Sequence, residues 1–177
     1  DTLSLHDALP ISAGVTRGAV YWHFEDKAAL FYALHKETLA PLTERGDVWF
    51  NDLSLDPLVA LENAIQEFIL TVFETPEVLK MFEIMVLRCE YVGEFAPVRQ
   101  AVNEPCIEFL AKLKVVYQRA EEQGLLRGGL TPEDLAYDTW AFVTVLFNQL
   151  LLIRNCDKLR QRIPTMIAAH IALRRLF

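Results

Sequence analysis

Apolar residues recur along most of this chain at spacings of three and four, the period of a helix that buries one side. The clearest case follows Asp56 and Pro57, where Leu58, Leu61, Ile65, Phe68 and Val72 fall on a single face. Asp56 is a helix cap and Pro57 suits the first helical position, where no backbone N–H is needed. Upstream, Asp26 caps a helix from Lys27 towards Phe50, with Ala29, Leu30, Ala33, Leu34 and Leu39 on its apolar side and a kink expected at Pro41. Thr75 and Pro76 start another helix to about Tyr91. Its residues Leu79, Phe82, Ile84, Met85, Val86 and Leu87 are apolar nearly all round, which predicts burial on several sides.

The second half repeats the pattern. A long helical stretch from Phe95 to Gln123, irregular near Pro105, stops at Gly124, which suits a left-handed cap. Thr131, Pro132, Glu133 and Asp134 combine a cap, a first-turn proline and carboxylates that match the helix dipole. The helix they open carries Trp140, Phe142, Val143, Leu146, Phe147, Leu150 and Ile153. A last helix, Leu159 to Leu176, sets Ile163, Ile167, His170 and Ile171 on one side. No alternation of period two appears at strand length, so the predicted fold class is all-α.

Composition narrows the functional classes. The chain has 177 residues, 53% hydrophobic and 23% charged, with seven glycines and eight prolines, which excludes disorder and a turn-rich β fold. The longest uncharged run, Thr139 to Ile153, has 15 residues, short of the roughly 20 that span a bilayer, and reads as a buried helix; no membrane partner is expected. Cys89, Cys106 and Cys156 stand 17 and 50 residues apart, which gives neither a paired metal spacing nor a disulfide framework and fits a reducing cytoplasm. Phosphate loops, nucleophile elbows and zinc helices are absent, so no catalytic residue, metal or cofactor is expected. His6, His23, His35 and His170 are scattered, each best read as a surface or locally hydrogen-bonded residue. The acidic pairs Glu121/Glu122 and Glu133/Asp134 read as solvated helix ends.

One segment carries distinctive chemistry. From Ala13 to Lys27 a tight turn, a short helix capped by Thr16, aromatic and imidazole donors and a lysine at the next helix start follow within fifteen residues. Tyr21 and His23 can donate to phosphate oxygens, Trp22 can donate through its ring nitrogen, and Lys27 adds charge beside a helix N-terminus. Thr16 and Arg17 stand where base edges in a major groove would be reached, and Gly18 permits close approach. An equally good account makes Val15, Val20 and Phe24 plain core and the polar residues a solvated face.

This stretch, Gly14 through Leu34, resembles the recognition segment of the TetR family of bacterial transcription regulators. Tyr21-Trp22-His23-Phe24 followed by Lys27 carries the resemblance. Cys89-Glu90-Tyr91 with Phe95, Arg99 and Gln100, and Gly124-Leu125-Leu126, are similar to the AcrR-type branch, which represses multidrug efflux genes. The resemblance implies a helix-turn-helix head on double-stranded operator DNA, a homodimer, and a helical domain that takes a small apolar effector. The expected divisions are 1–11 as a non-native leader, 12–50 as an incomplete head with its connecting helix, and 51–177 as the ligand-binding and dimerisation domain. Asp1–Ile11 holds two acids and no lysine or arginine where the family's first helices would stand, so weak specific DNA binding is expected of the chain as it is, and a helical scaffold without DNA binding is the alternative. The resemblance tilts Phe68, Val72, Phe82, Met85 and Val86 towards lining a pocket, with Asn148 and Gln149 as polar contacts; core packing is the competing account of each. Leu146, Leu150, Ile163, Ile167 and Ile171 are the expected twofold interface, with Val145 where related chains often carry a small residue.

The net charge of −7 is unevenly placed. Ser12–Lys36 has three basic and two acidic residues, whereas Glu37–Phe177 has 14 basic and 20 acidic. A slightly basic recognition segment on an acidic body is compatible with DNA contact at that end alone.

Overall fold

The computed structural model describes residues 24–93, 96–153 and 157–176. Among them are six helices and no strand: α1 (Lys27–Asn51), α2 (Pro57–Glu74), α3 (Pro76–Leu87), α4 (Val98–Glu122), α5 (Pro132–Leu152) and α6 (Asp157–Ala172). The all-α reading holds, and so do the sequence signals for the starts of α1, α2 and α5. The Asp26 carboxylate accepts from Ala29 N–H at 2.7 Å. Asp56 accepts from Leu58 N–H at 2.8 Å and Val59 N–H at 3.3 Å. Thr131 and Asp134 form a reciprocal capping box. At the end of α4, Gly124 takes φ +68°. Leu125 N–H then reaches Ala120 C=O and Gly124 N–H reaches Glu121 C=O, the paired bonds of a Schellman motif.

Elsewhere the boundaries shift. α1 runs unbroken through Pro41, as α4 does through Pro105, so neither proline ends its helix. α3 stops at Leu87, short of Tyr91, because Arg88 and Cys89 both donate to Ile84 C=O. Val86 and Leu87 are exposed, so α3 is buried on one side rather than several. α6 ends at Ala172, and the residues after it leave the helix to meet the α4–α5 connection. There Arg127 N–H bonds Arg174 C=O and Leu176 N–H bonds Leu125 C=O, each at 2.8 Å, around an isolated antiparallel bridge between Leu126 and Arg175.

Two apolar cores form. One joins α2, α4, α5 and α6 around Leu61, Ile65, Leu113, Tyr117, Leu146, Leu150, Ile163 and Ile167. The other lies where α1 and α3 meet α2 and α5. Helix α5 is long and apolar enough by composition to cross a membrane, yet Leu135, Ala136, Val143, Leu146 and Leu150 pack into the first core and Phe147 and Leu151 into the second. That matches the expectation of a buried helix.

Leu146, Leu150, Ile163, Ile167 and Ile171 belong to the first core and are at most 5% exposed in a single chain. They have no surface left to offer a second copy, which corrects their expected place in a twofold interface. The exposed stripe of α5 is instead Tyr137, Ala141, Val145, Gln149 and Leu152.

Candidate functional site

Of the residues expected to meet DNA, Thr16, Arg17, Gly18, Tyr21, Trp22 and His23 lie outside the described residues. Lys27 is the first residue of α1, directly after the Asp26 cap. The same helix then runs into the second core, so the structure ties the recognition segment to a specific apolar site through 25 residues of continuous helix.

That site is built from short i, i+3 and i+4 sets on four helices. Helix α2 supplies Phe68 and Val72, α3 supplies Val78, Met81, Phe82 and Met85, and α5 supplies Phe147 and Leu151. Phe147 is the hub. Its ring centroid lies 4.9 Å from Phe82, 5.4 Å from Phe68 and 6.2 Å from Phe73, mostly edge to face, and Phe68 meets Phe82 at 6.0 Å and 90°. Such geometries set the positive ring edge against the negative face and add to the area buried. Met81 and Met85 bring flexible, polarisable side chains suited to irregular apolar shapes. Tyr91 O–H donates to Met85 C=O at 3.0 Å and closes the end of α3 over the group.

Four of the expected pocket residues, Phe68, Val72, Phe82 and Met85, therefore come together. Val86 and Gln149 are exposed and turned away, and Asn148 is half-buried. The reason is helical phase, since Gln149 stands two residues and thus about 200° round the helix from Phe147. Sequence reasoning passed over Phe147 itself, although its spacing of four from buried Val143 marks the inward face.

It also passed over most of the face that α1 presents. Phe31, His35, Leu39 and Leu42 form the buried stripe, while Ala29, Leu30, Ala33 and Leu34 are only half-buried. His35 is 5% exposed and its Nε2 has no hydrogen-bond partner, so it is not the surface or locally bonded histidine expected. Burial pushes its imidazole below the ordinary histidine value, against an opposing pull from the Glu104 carboxylate.

A second polar group lies at the far end of the bundle. Tyr117 Oη and Thr139 Oγ1 are 2.6 Å apart, and Thr139 Oγ1 is 3.1 Å from His170 Nε2. The His170 ring stacks on Phe142 at 4.0 Å. Arg174 binds both the Asp138 carboxylate and the His170 carbonyl. Hydroxyl, imidazole and carboxylate resemble a nucleophilic triad in content but not in arrangement. Asp138 approaches the same Nε2 that faces Thr139, at 4.0 Å, leaving no carboxylate to orient the ring from its other nitrogen, and Thr139 is fully buried. The group ties α4, α5 and α6 together. No cluster of three or more metal-ligating side chains occurs among the described residues.

Comparison with known proteins agrees with this architecture. The family model of bacterial regulatory proteins, tetR family, matches residues 11–34, the recognition segment and the first turns of α1. The HTH-type transcriptional repressor BepR of Brucella suis is 36% identical over 143 residues, which cover 78% of this chain and 66% of that protein. The HTH-type transcriptional regulator AcrR of Shigella flexneri is 26% identical over 157 residues, covering 89% of this chain and 73% of that one. The chain thus spans about two thirds to three quarters of the length of these relatives. Among solved structures, NalD, the secondary repressor of the MexAB-OprM multidrug efflux pump in Pseudomonas aeruginosa, superposes with a TM-score of 0.82 at 24% identity, covering 99% of this chain and 88% of that one. A SmeT–triclosan complex gives 0.74 at 23%, covering 93% and 79%. The recognition segment, the all-helical body and the relatives lead to one conclusion: the chain belongs to the tetR family of bacterial regulatory proteins, which are transcriptional regulators and not enzymes.

Proposed function

We propose that this protein is a ligand-responsive transcriptional repressor of an efflux-type operon, binding double-stranded operator DNA as a homodimer and released by a small apolar or aromatic effector. The observation that carries this reading is the continuity of α1, which starts at the end of the recognition segment and lays Phe31, His35, Leu39 and Leu42 into the phenylalanine cluster. A molecule inserted among these rings displaces α1, and with it the recognition segment. In a dimer, two such segments must match one turn of DNA or a multiple. An effector that binds better to a mismatched spacing shifts the population off the operator, and each factor of ten in that preference takes about 1.4 kcal/mol.

Thr16, Arg17 and Gly18 are assigned to the major groove and Tyr21, Trp22, His23 and Lys27 to the phosphate backbone. Residues 12–50 form the head and connecting helix, and 51–177 the effector and dimer domain. A second copy is assigned to the stripe of Tyr137, Ala141, Val145, Gln149 and Leu152, an exposed and largely apolar face that continues next to Thr165, Ala169 and Leu173 on α6. Work on an operator places the protein in the cytoplasm. A scaffold role without DNA is not favoured, because the family match falls on the recognition segment itself.

Fluorescence anisotropy on the DNA adjoining the protein's own gene tests the proposal. Binding that prefers this DNA to a scrambled duplex, weakens with salt and is relieved by triclosan, the compound seen with SmeT, is the expected result. Equal binding to both duplexes at every salt concentration would overturn it.

A further inference from the structure

We infer that His35 Nε2 is the polar anchor of the effector site, and that the effector class is a flat, uncharged aromatic carrying a hydroxyl group. This rests on the reading of the phenylalanine cluster as the effector site. Among the described residues only two buried side-chain nitrogens lack a partner, His35 Nε2 and Arg174 Nε. Arg174 is otherwise occupied, since its two terminal nitrogens bind Asp138 and the His170 carbonyl. His35 stands alone in the middle of an apolar stripe, one turn from Phe31 and one turn from Leu39. A buried group that could hydrogen-bond and does not is costly, and a protein retains one where something else completes it.

The surroundings select what that is. The cluster that His35 faces is made of phenylalanine, methionine, leucine and valine, with no carboxylate or ammonium inside it to neutralise a charged guest. Burial keeps the imidazole neutral, so it offers one donor and one acceptor nitrogen and no formal charge. Glu104, on α4, is the carboxylate that bears on the ring, and it is solvent-exposed rather than part of the cluster. A neutral hydroxyl or phenol matches such a nitrogen, whereas a carboxylate or a quaternary amine would enter without a counter-charge. The flat rings of Phe68, Phe82 and Phe147 complete the match on the apolar side.

The test compares 2-naphthol with 2-methoxynaphthalene, which keeps the rings and loses the hydroxyl proton, by isothermal titration calorimetry on the wild type, His35→Leu and His35→Gln. The wild type is expected to bind 2-naphthol about tenfold more tightly than the ether, the size of one well-made hydrogen bond. His35→Leu should bind the two equally, and His35→Gln, whose amide can still pair with a hydroxyl, should recover part of the preference. Replacing an unpaired polar group by leucine does not threaten folding, and an unchanged or raised melting temperature of His35→Leu verifies that. If the ether binds and the wild type shows no preference for the naphthol, or if the preference survives in His35→Leu, the anchor is wrong while the site stands. If neither compound binds the wild type, the site itself is wrong and the anchor falls with it.

Discussion

Acid should weaken this protein through one identifiable side chain. His170 has only a tenth of its side chain exposed, stacks on Phe142, and shares its Nε2 with Thr139. Desolvation first, and the neighbouring Arg174 charge second, hold its imidazole down at about 4 against a partial pull upward from Asp138. An unfolded chain would bind that proton near 6.5. The unfolded state therefore takes up a proton that the folded state refuses. Stability from the neutral ring is complete above about pH 6.5 and lost as the pH falls towards 4. The whole interval is worth roughly 3 kcal/mol, of which about 1 kcal/mol is lost between pH 7 and about pH 5.5. That span stays above the sequence pI of about 5.1, where the protein would tend to associate. Urea unfolding at fixed protein concentration, for the wild type and for His170→Phe, isolates the effect because every carboxylate and His35 is common to both. The wild type should lose about 1 kcal/mol more than the variant over this span. Parallel losses in the two proteins, or an NMR titration placing His170 at or above 6.5, would refute the assignment.

Three further outcomes follow from packing and caps. Phe147→Ala empties the hub of four ring contacts and should cost about 3–5 kcal/mol in urea unfolding, and Phe147→Leu clearly less. Asp56 both caps α2 and meets Arg175 at 2.8 Å, with both side chains about 30% exposed. Asp56→Asn keeps the cap and should lose under about 1 kcal/mol, whereas Asp56→Ala should lose about 1 kcal/mol more in thermal melts. Val145→Glu, in the exposed stripe of α5, should leave the helical circular dichroism unchanged and halve the mass seen by light scattering; a retained dimer would move the interface elsewhere.

The local instructions were legible because they are local. Asp26, Asp56, Thr131 and Gly124 each act on backbone groups within five residues, so a cap can be read without knowing what the helix packs on. The apolar face of α2 was legible for the same reason, and so was the recognition segment, whose residues are contiguous. Which apolar residue meets which was not. Phe68, Val72, Phe82 and Met85 were recognised as a possible lining, yet the ring that joins them, Phe147, lies 65 residues beyond Phe82 and looked like any other apolar position of α5.

The sequence by itself determined the helices, their stops and the family to which the chain belongs. Only the tertiary structure decided that Leu146, Ile163 and Ile167 are interior and not interface, that Val86 and Gln149 face outwards, and that His35 is buried without a partner. Periodicity gives the angle of a residue about its own helix axis but not the rotation of that helix against its neighbours. That rotation is set by contacts between residues far apart in the chain, and it alone divides an apolar residue in the core from one left for a ligand or a second copy.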